Sequence, residues 1–179
     1  MEPFDPIDEL MADHRLIEKV LTALDAQLDP EVLPFPAGFL GEALDFIAHF
    51  ADGHHHFKEE EALFPAMAKR GVPVEGGPIG MMLFEHAEGR KHVQEIRRNL
   101  DSAGQGDAES QAAVRKHARE YTALLRNHIW KEDNVLFRMA RQALGPEALE
   151  SLARQFRDEA NPRVSSETRR RYAEFANSL

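Results

Sequence analysis

The chain has 179 residues, 42% apolar and 30% charged, and 22 Lys and Arg against 31 Asp and Glu leave a net charge of −9. This is a globular composition of one-domain length, which excludes wholesale disorder, and the acidic balance excludes the basic face of a nucleic-acid binder. Nine histidines stand beside no cysteine, so disulfide scaffolds, thiolate zinc sites, iron–sulfur clusters and cysteine nucleophiles are excluded as well.

The acidic first ten residues lack the basic and apolar regions of a signal peptide. No apolar run approaches the roughly 20 residues that span a bilayer, so a cytoplasmic protein with no membrane contact is expected. Asp5-Pro6 reads as an N-cap followed by Pro at the first helical position. From there Ile7, Leu10, Ile17, Leu21, Leu24 and Leu28 recur at heptad-like spacing, with His14 in the series. Three prolines between Pro30 and Gly38 break that helix. A second long helix is predicted from about 39 to 70, closed by Lys69-Arg70, Gly71 and Pro73. Gly76-Gly77-Pro78 opens a third, with the stripe Ile79, Met82, His86, Gly89, Val93, Ile96 and Leu100. A polar linker at 101–107 precedes a fourth helix, stopped by Gly145-Pro146. Residues 147–179 read as two shorter helices hinged at Asn161-Pro162.

Sustained period-two alternation is absent. The expected fold is therefore all-α: an antiparallel up-down-up-down four-helix bundle over about 5–144, with two additional C-terminal helices over about 146–179, in one domain of 1–179.

An internal repeat says more than the helix count. His55-His56-Phe57-Lys58-Glu59-Glu60 and on to Leu63-Phe64 matches His128-Ile129-Trp130-Lys131-Glu132-Asp133 and on to Leu136-Phe137. The shared pattern is H-x-x-K-E-[DE]-x-x-L-F. The first and third helices each carry an acid–histidine pair, Asp13-His14 and Glu85-His86. At about 100° per residue, His55 and Glu59 share the arc of Leu44, Ile47 and Leu63. His128 and Glu132 share that of Leu125, Val135 and Leu136. His54 and His56 fall about 100° to either side, which makes them solvated or supporting groups. Glu60 and Asp133 point off the core. Met81, Met82, Trp130 and Tyr121 are assigned to core packing, and so is His117; Arg169-Arg170-Arg171 is assigned to a solvated face.

Four inward histidines and two inward glutamates thus converge from four helices. One buried histidine, or one i,i+4 His–Glu pair, has an ordinary structural explanation. Six polar groups at one level of an apolar core do not, because an unpaired buried carboxylate costs several kcal/mol. Metal ions satisfy all of them, and six donors are too many for one tetrahedral zinc. Imidazole and carboxylate without thiolate suit Fe, Mn or Zn.

Asp13-His14, the run His55 to Pro65, Glu85-His86 and the run His128 to Phe137 together resemble the hemerythrin-like (HHE cation-binding) family. The resemblance covers about 7–144. It implies a non-haem di-iron centre with His14, His55, His86 and His128 as terminal ligands and Glu59 and Glu132 as bridges. Manganese or zinc are possible substitutes. Oxygen-carrying hemerythrins have a histidine at the position of Arg90 and a His–Asp pair five apart on the last helix. Here His128 and Glu132 are four apart, closer to the four-His, two-Glu bacterial iron-centre repair proteins. The expected function is binding or reaction with a small diatomic or peroxide ligand (oxygen, nitric oxide or peroxide) in sensing or stress defence. The alternatives are an iron buffer or donor and a metal-free structural bundle. Arg90, inward on its helix, is expected either to pair with Glu59 or Glu132, or with an anionic ligand, or to reach solvent.

Overall fold

A computed structural model describes residues 4–157 and 165–179, all helical or loop, with no strand among them. Helix α1 (Pro6–Gln27) starts where the Asp5 carboxylate accepts the Ile7 N–H at 2.8 Å, with Pro6 at the first position. The second long helix begins as α2 (Ala37–Phe46). It continues through two π-helical stretches (Ile47–His56 and Glu59–Leu63) into α3 (Phe64–Ala68). Gly71 ends it in the left-handed region at φ 88°.

Helix α4 (Pro78–Gly104) opens at Gly77, where a Cβ would sit 2.4 Å from the Pro73 carbonyl oxygen, so only glycine fits. It runs further than the sequence suggested and takes up most of the expected 101–107 linker. Asp107 then caps α5 (Ala108–Lys131) by accepting the Ser110 N–H at 2.8 Å. A third π-helical stretch (Glu132–Leu136) leads into α6 (Phe137–Arg157). The expected stop at Gly145-Pro146 is a kink, with Gly145 at φ 61° and helix resuming beyond it. The expected hinge at Asn161-Pro162 lies outside the described residues. Helix α7 (Ser166–Ser178) is tied to α2 by Tyr172, whose hydroxyl donates to Asp45 at 2.7 Å, and to α1 by the Lys19–Asn177 hydrogen bond.

Two apolar clusters form the core, and each long helix contributes to both. One cluster holds Ile17 and Leu21 of α1, Leu40 and Phe46 of α2, Ile96 of α4, Leu125 of α5 and Tyr172 of α7. The other holds Ile7 and Leu10, Leu63 and Met67, Ile79 and Met82, Leu136 and Phe137, and Leu152 and Phe156 of α6. Between the clusters, on every one of these four long helices, lies a buried polar residue: His14, His55 with Glu59, His86, or His128 with Glu132.

Sequence assignments on the periphery need correction. Trp130 is 62% exposed and Met81 51%, so neither packs in the core, whereas Met82 and Tyr121 do. An aromatic residue's size does not bury it when its helix face has no neighbour.

Candidate metal centre

The six expected residues meet in one place. His14 Nε2 lies 2.9 Å from His55 Nε2, and His86 Nε2 lies 3.1 Å from His128 Nε2. Glu59 directs Oε1 at His55 and Oε2 at His86, each at 3.6 Å. Glu132 directs Oε2 at His14 and Oε1 at His128, each at 3.2 Å. Each carboxylate therefore straddles two imidazole pairs, one oxygen for each. Glu59, Glu132 and His14 have no solvent exposure at all.

A seventh residue, His56, joins them. It was read as a solvated or supporting group, yet all three of His54, His55 and His56 are buried, so the solvated reading fails. The cause is the π-helical turn. Its i→i+5 bonds, such as the one from Phe57 N–H to Asp52 O, advance each residue by less than the α-helical 100°. Consecutive residues then share a narrower arc, and the wheel misplaces them. The His56 ring stacks on His86 with centroids 3.8 Å apart. A His56 ring nitrogen joins Glu59, His86 and His128 in one group of donor atoms within 4.8 Å of one another; His14, His55, Glu59 and Glu132 form a second such group.

The same irregular turn follows both inner carboxylates. Phe64 N–H bonds to Glu59 O, and Phe137 N–H to Glu132 O. Pro65 follows the first of these turns and Arg138 the second, yet the turn is the same in both. Proline is therefore not its cause.

Around this core stands an outer ring of carboxylates. Asp133 bonds His14 Nδ1 at 2.7 Å, Glu60 bonds His86 Nδ1 at 2.7 Å, Glu85 bonds His128 Nδ1 at 3.0 Å, and Asp52 bonds His56 Nδ1 at 3.2 Å. Asp13 stands 3.6 Å from His55 Nδ1, too far for a hydrogen bond. Glu60 and Asp133 do point off the core, as the wheel gave, but onto the back of the neighbouring helix's histidine. Cations hold this ring in turn. Arg15 pairs with Asp133, Arg90 with Glu60 and Asp52, Lys58 with Asp13, and Lys131 with Glu85. The lysine of the repeat thus holds the acid of each acid–histidine pair. Arg90 reaches neither Glu59 nor Glu132; it braces the carboxylates behind His86 and His56.

A carboxylate on Nδ1 fixes the tautomer and leaves the Nε2 lone pair facing inward. The two such lone pairs of His86 and His128, facing across 3.1 Å, repel unless a proton or a cation lies against them. In the metal-free chain the protons are distributed accordingly. Burial alone would depress His128, but Glu132 and Glu85 raise it to about 9. Burial and the Coulomb field of His14 hold His55 well below its ordinary range. Burial and the adjacent Glu132 push Glu59 well above the carboxylate range, while His128 and His14 hold Glu132 well below it despite burial.

That proton arrangement leaves atoms unsatisfied. Both oxygens of Glu59 and of Glu132, His56 Nε2, His55 Nδ1 and His54 Nδ1 are buried without a hydrogen-bond partner. A buried unsatisfied group costs about 1–3 kcal/mol. The three that face the centre, Glu59, Glu132 and His56, already amount to a large share of the net stability of a domain, about 5–15 kcal/mol. The donor set fits metal cations, which would turn each inward lone pair from a cost into a bond.

The outer ring yields a measurable expectation. Asp133→Asn and Glu60→Gln each keep the shape but weaken the grip on one imidazole. Metal affinity should fall about 10–100-fold in either variant. Competition with a chelator measures it, and an unchanged affinity would show that the ring does not tune the centre.

Comparisons with known proteins agree with this geometry. Uncharacterized protein Rv1995 of Mycobacterium tuberculosis and Uncharacterized protein Mb2018 of Mycobacterium bovis are each 22% identical to the chain over 166 residues. The match covers 90% of this chain and 63% of each relative, so the chain spans less than two thirds of their length. Residues 5–140 match the Hemerythrin HHE cation binding domain, a stretch that contains all seven converging side chains, and the chain belongs to that family.

Proposed function

We propose that the chain is a non-haem di-iron protein, an up-down-up-down four-helix bundle in a single domain, whose centre binds or reacts with a small oxidant such as oxygen, nitric oxide or peroxide. The observation that carries the reading is the pair of straddling carboxylates. Glu59 and Glu132 each offer one oxygen to each of two imidazole groups, an arrangement that suits two cations and is wasted on one. In this reading His14 and His55 serve one ion and His56, His86 and His128 the other, so the expected four-histidine set becomes five. The fifth imidazole comes from the second helix, while the third-helix position used by oxygen carriers is Arg90.

Iron held there supplies one-electron chemistry and a coordination position for the oxidant. The chain supplies the rest. The two apolar clusters exclude bulk water above and below the centre. The outer carboxylates orient the imidazoles and raise their basicity. Beside His56, His86 and His128 lies a cavity of about 10 Å³, walled by Gly89 and Tyr121. That is about the room one water-sized molecule needs, which favours diatomic or peroxide ligands over organic substrates. Burial and the Asp52 carboxylate raise the Tyr121 phenol, so it stays protonated against this cavity. Full burial of the donors favours a resident metal over an iron donor, which must release its cargo.

Elemental analysis of the chain expressed in iron-rich medium should give about two metals per chain, mainly iron. A single zinc, or none, overturns the reading. For the ligand, Gly89→Val is the probe. A Cβ at Gly89 already meets the Tyr121 ring at 3.4 Å, so a branched side chain fills the cavity. The variant should keep its iron while azide affinity drops at least tenfold in an optical titration. Unchanged azide binding would place the ligand elsewhere.

A further inference from the structure

We propose a second, separate cation site on the surface of the α4–α5 pair, formed by His92, His117 and Glu120, that takes a divalent ion of the zinc type. None of these residues touches the buried centre. His117 lies about 16 Å along the α5 axis from His128, at about 1.5 Å per residue. His117 and Glu120 stand three apart on one face of α5, so their side chains are neighbours, and His92 comes across from α4. Sequence reading assigned His117 to packing, and His92 is absent from the inward stripe of its helix. The structure brings them together, partly exposed.

Three donor atoms form a triangle, of which the His92–His117 edge is also within hydrogen-bond range. His92 Nδ1 and His117 Nδ1 are 3.1 Å apart. One Glu120 oxygen, Oε2, stands 3.5 Å from the first and 3.6 Å from the second. These latter two are long for hydrogen bonds to a ring nitrogen. They match the edge of a coordination tetrahedron. With metal–nitrogen and metal–oxygen bonds of about 2.0–2.2 Å, neighbouring ligands lie about 3.3–3.5 Å apart. The donor spacings of the buried centre cover the same range, from 2.9 to 3.6 Å. A carboxylate oxygen equidistant from two converging imidazole nitrogens is what one shared ion requires, and a hydrogen bond would instead draw it to one ring.

The chemistry of the donors sets the class of ion. Two imidazoles and a carboxylate, without thiolate, suit zinc and the neighbouring late first-row divalent ions and disfavour calcium or magnesium. Three protein donors at a solvent-facing position leave the fourth to water. The two helices that carry the donors are packed against each other along their length, so little ordering is left for binding to impose. The site would load from solution, independently of the enclosed centre.

The test compares bound zinc in the wild-type chain with that in His92→Ala and His117→Ala after equilibrium dialysis against zinc, using the chain as purified. Each variant should hold one zinc fewer per chain, with unchanged helix content and unchanged iron. Glu120→Gln, which keeps the size and loses the charge, should weaken zinc at this site at least tenfold. Cobalt(II) added to the wild type should give the intense visible bands of a four-coordinate ion at this site, and either histidine variant should lose them. Equal zinc in the wild type and both histidine variants overturns the proposal. The readout is a difference, so it holds whether or not the buried centre takes iron.

Discussion

Glu59→Leu is expected to strip the chain of its metal while making the metal-free form more stable. In that form Glu59 is a fully buried carboxyl with neither oxygen hydrogen-bonded, next to a second buried carboxylate. Replacing buried ionic groups by apolar ones of similar volume is often stabilising, by about 1–4 kcal/mol. With metal, the same substitution removes the oxygens that face both imidazole groups. The sign of the pH effect follows from the raised Glu59 value. A folded-state pKa above the ordinary 4.5 means that the folded chain keeps a proton the unfolded chain has lost. Its contribution is complete below 4.5 and declines as pH rises through the folded value. His128 acts in the same sense between 6.5 and about 9. Above pH 6.5 the wild-type apo-protein should therefore lose stability with rising pH through His128, and Glu59→Leu should remove the part of the decline that begins at 4.5. Thermal unfolding in chelator across that range measures both. Retained iron, or a steeper slope, would contradict the assignment of Glu59.

The second large effect concerns adjacent histidines. His56→Leu should cost metal affinity by more than the 10–100-fold typical of an outer partner, because a His56 ring nitrogen lies in the donor group of Glu59, His86 and His128 and its Nε2 is buried without a partner. Bound metal should fall toward one ion per chain. His55→Ala should lose at least as much. His54→Ala should lose little, since its contact is with Asp13 at 3.7 Å and it faces none of the other imidazole pairs. Elemental analysis of the three variants separates the cases. If His56 and His54 behave alike, the π-helical phase has been misjudged.

What the sequence could show, and what it could not, follows from the range of the forces involved. The i,i+4 spacing of His55 with Glu59 and of His128 with Glu132 is a local property, and so is the heptad position of His14 and His86. All six meet as that spacing suggested. The burial of His56 was invisible because a π turn is a tertiary compromise; nothing in Asp52-Gly53-His54 announces it. The outer ring was half visible. The acid–histidine pairs and the repeat's lysine were on the page, but their meeting depends on which helix lies beside which. The His92–His117 contact fails for the same reason, since each residue looks ordinary on its own wheel. Arg90 was placed correctly along its helix, yet only the positions of Asp52 and Glu60 on another element determine what its guanidinium holds.

The cross-connection of the two halves has a consequence for assembly. Asp133 of the second half steadies His14 of the first, Glu60 of the first steadies His86 of the second, and each inner carboxylate faces one histidine from either half. Neither half can complete a site alone, because each lends its acids to the other. Tethering them in one chain replaces a concentration-dependent encounter with an intramolecular one. It also frees the copies to diverge, which lets the first carry His56 where the second has Ile129 and makes the two ends of the centre unequal.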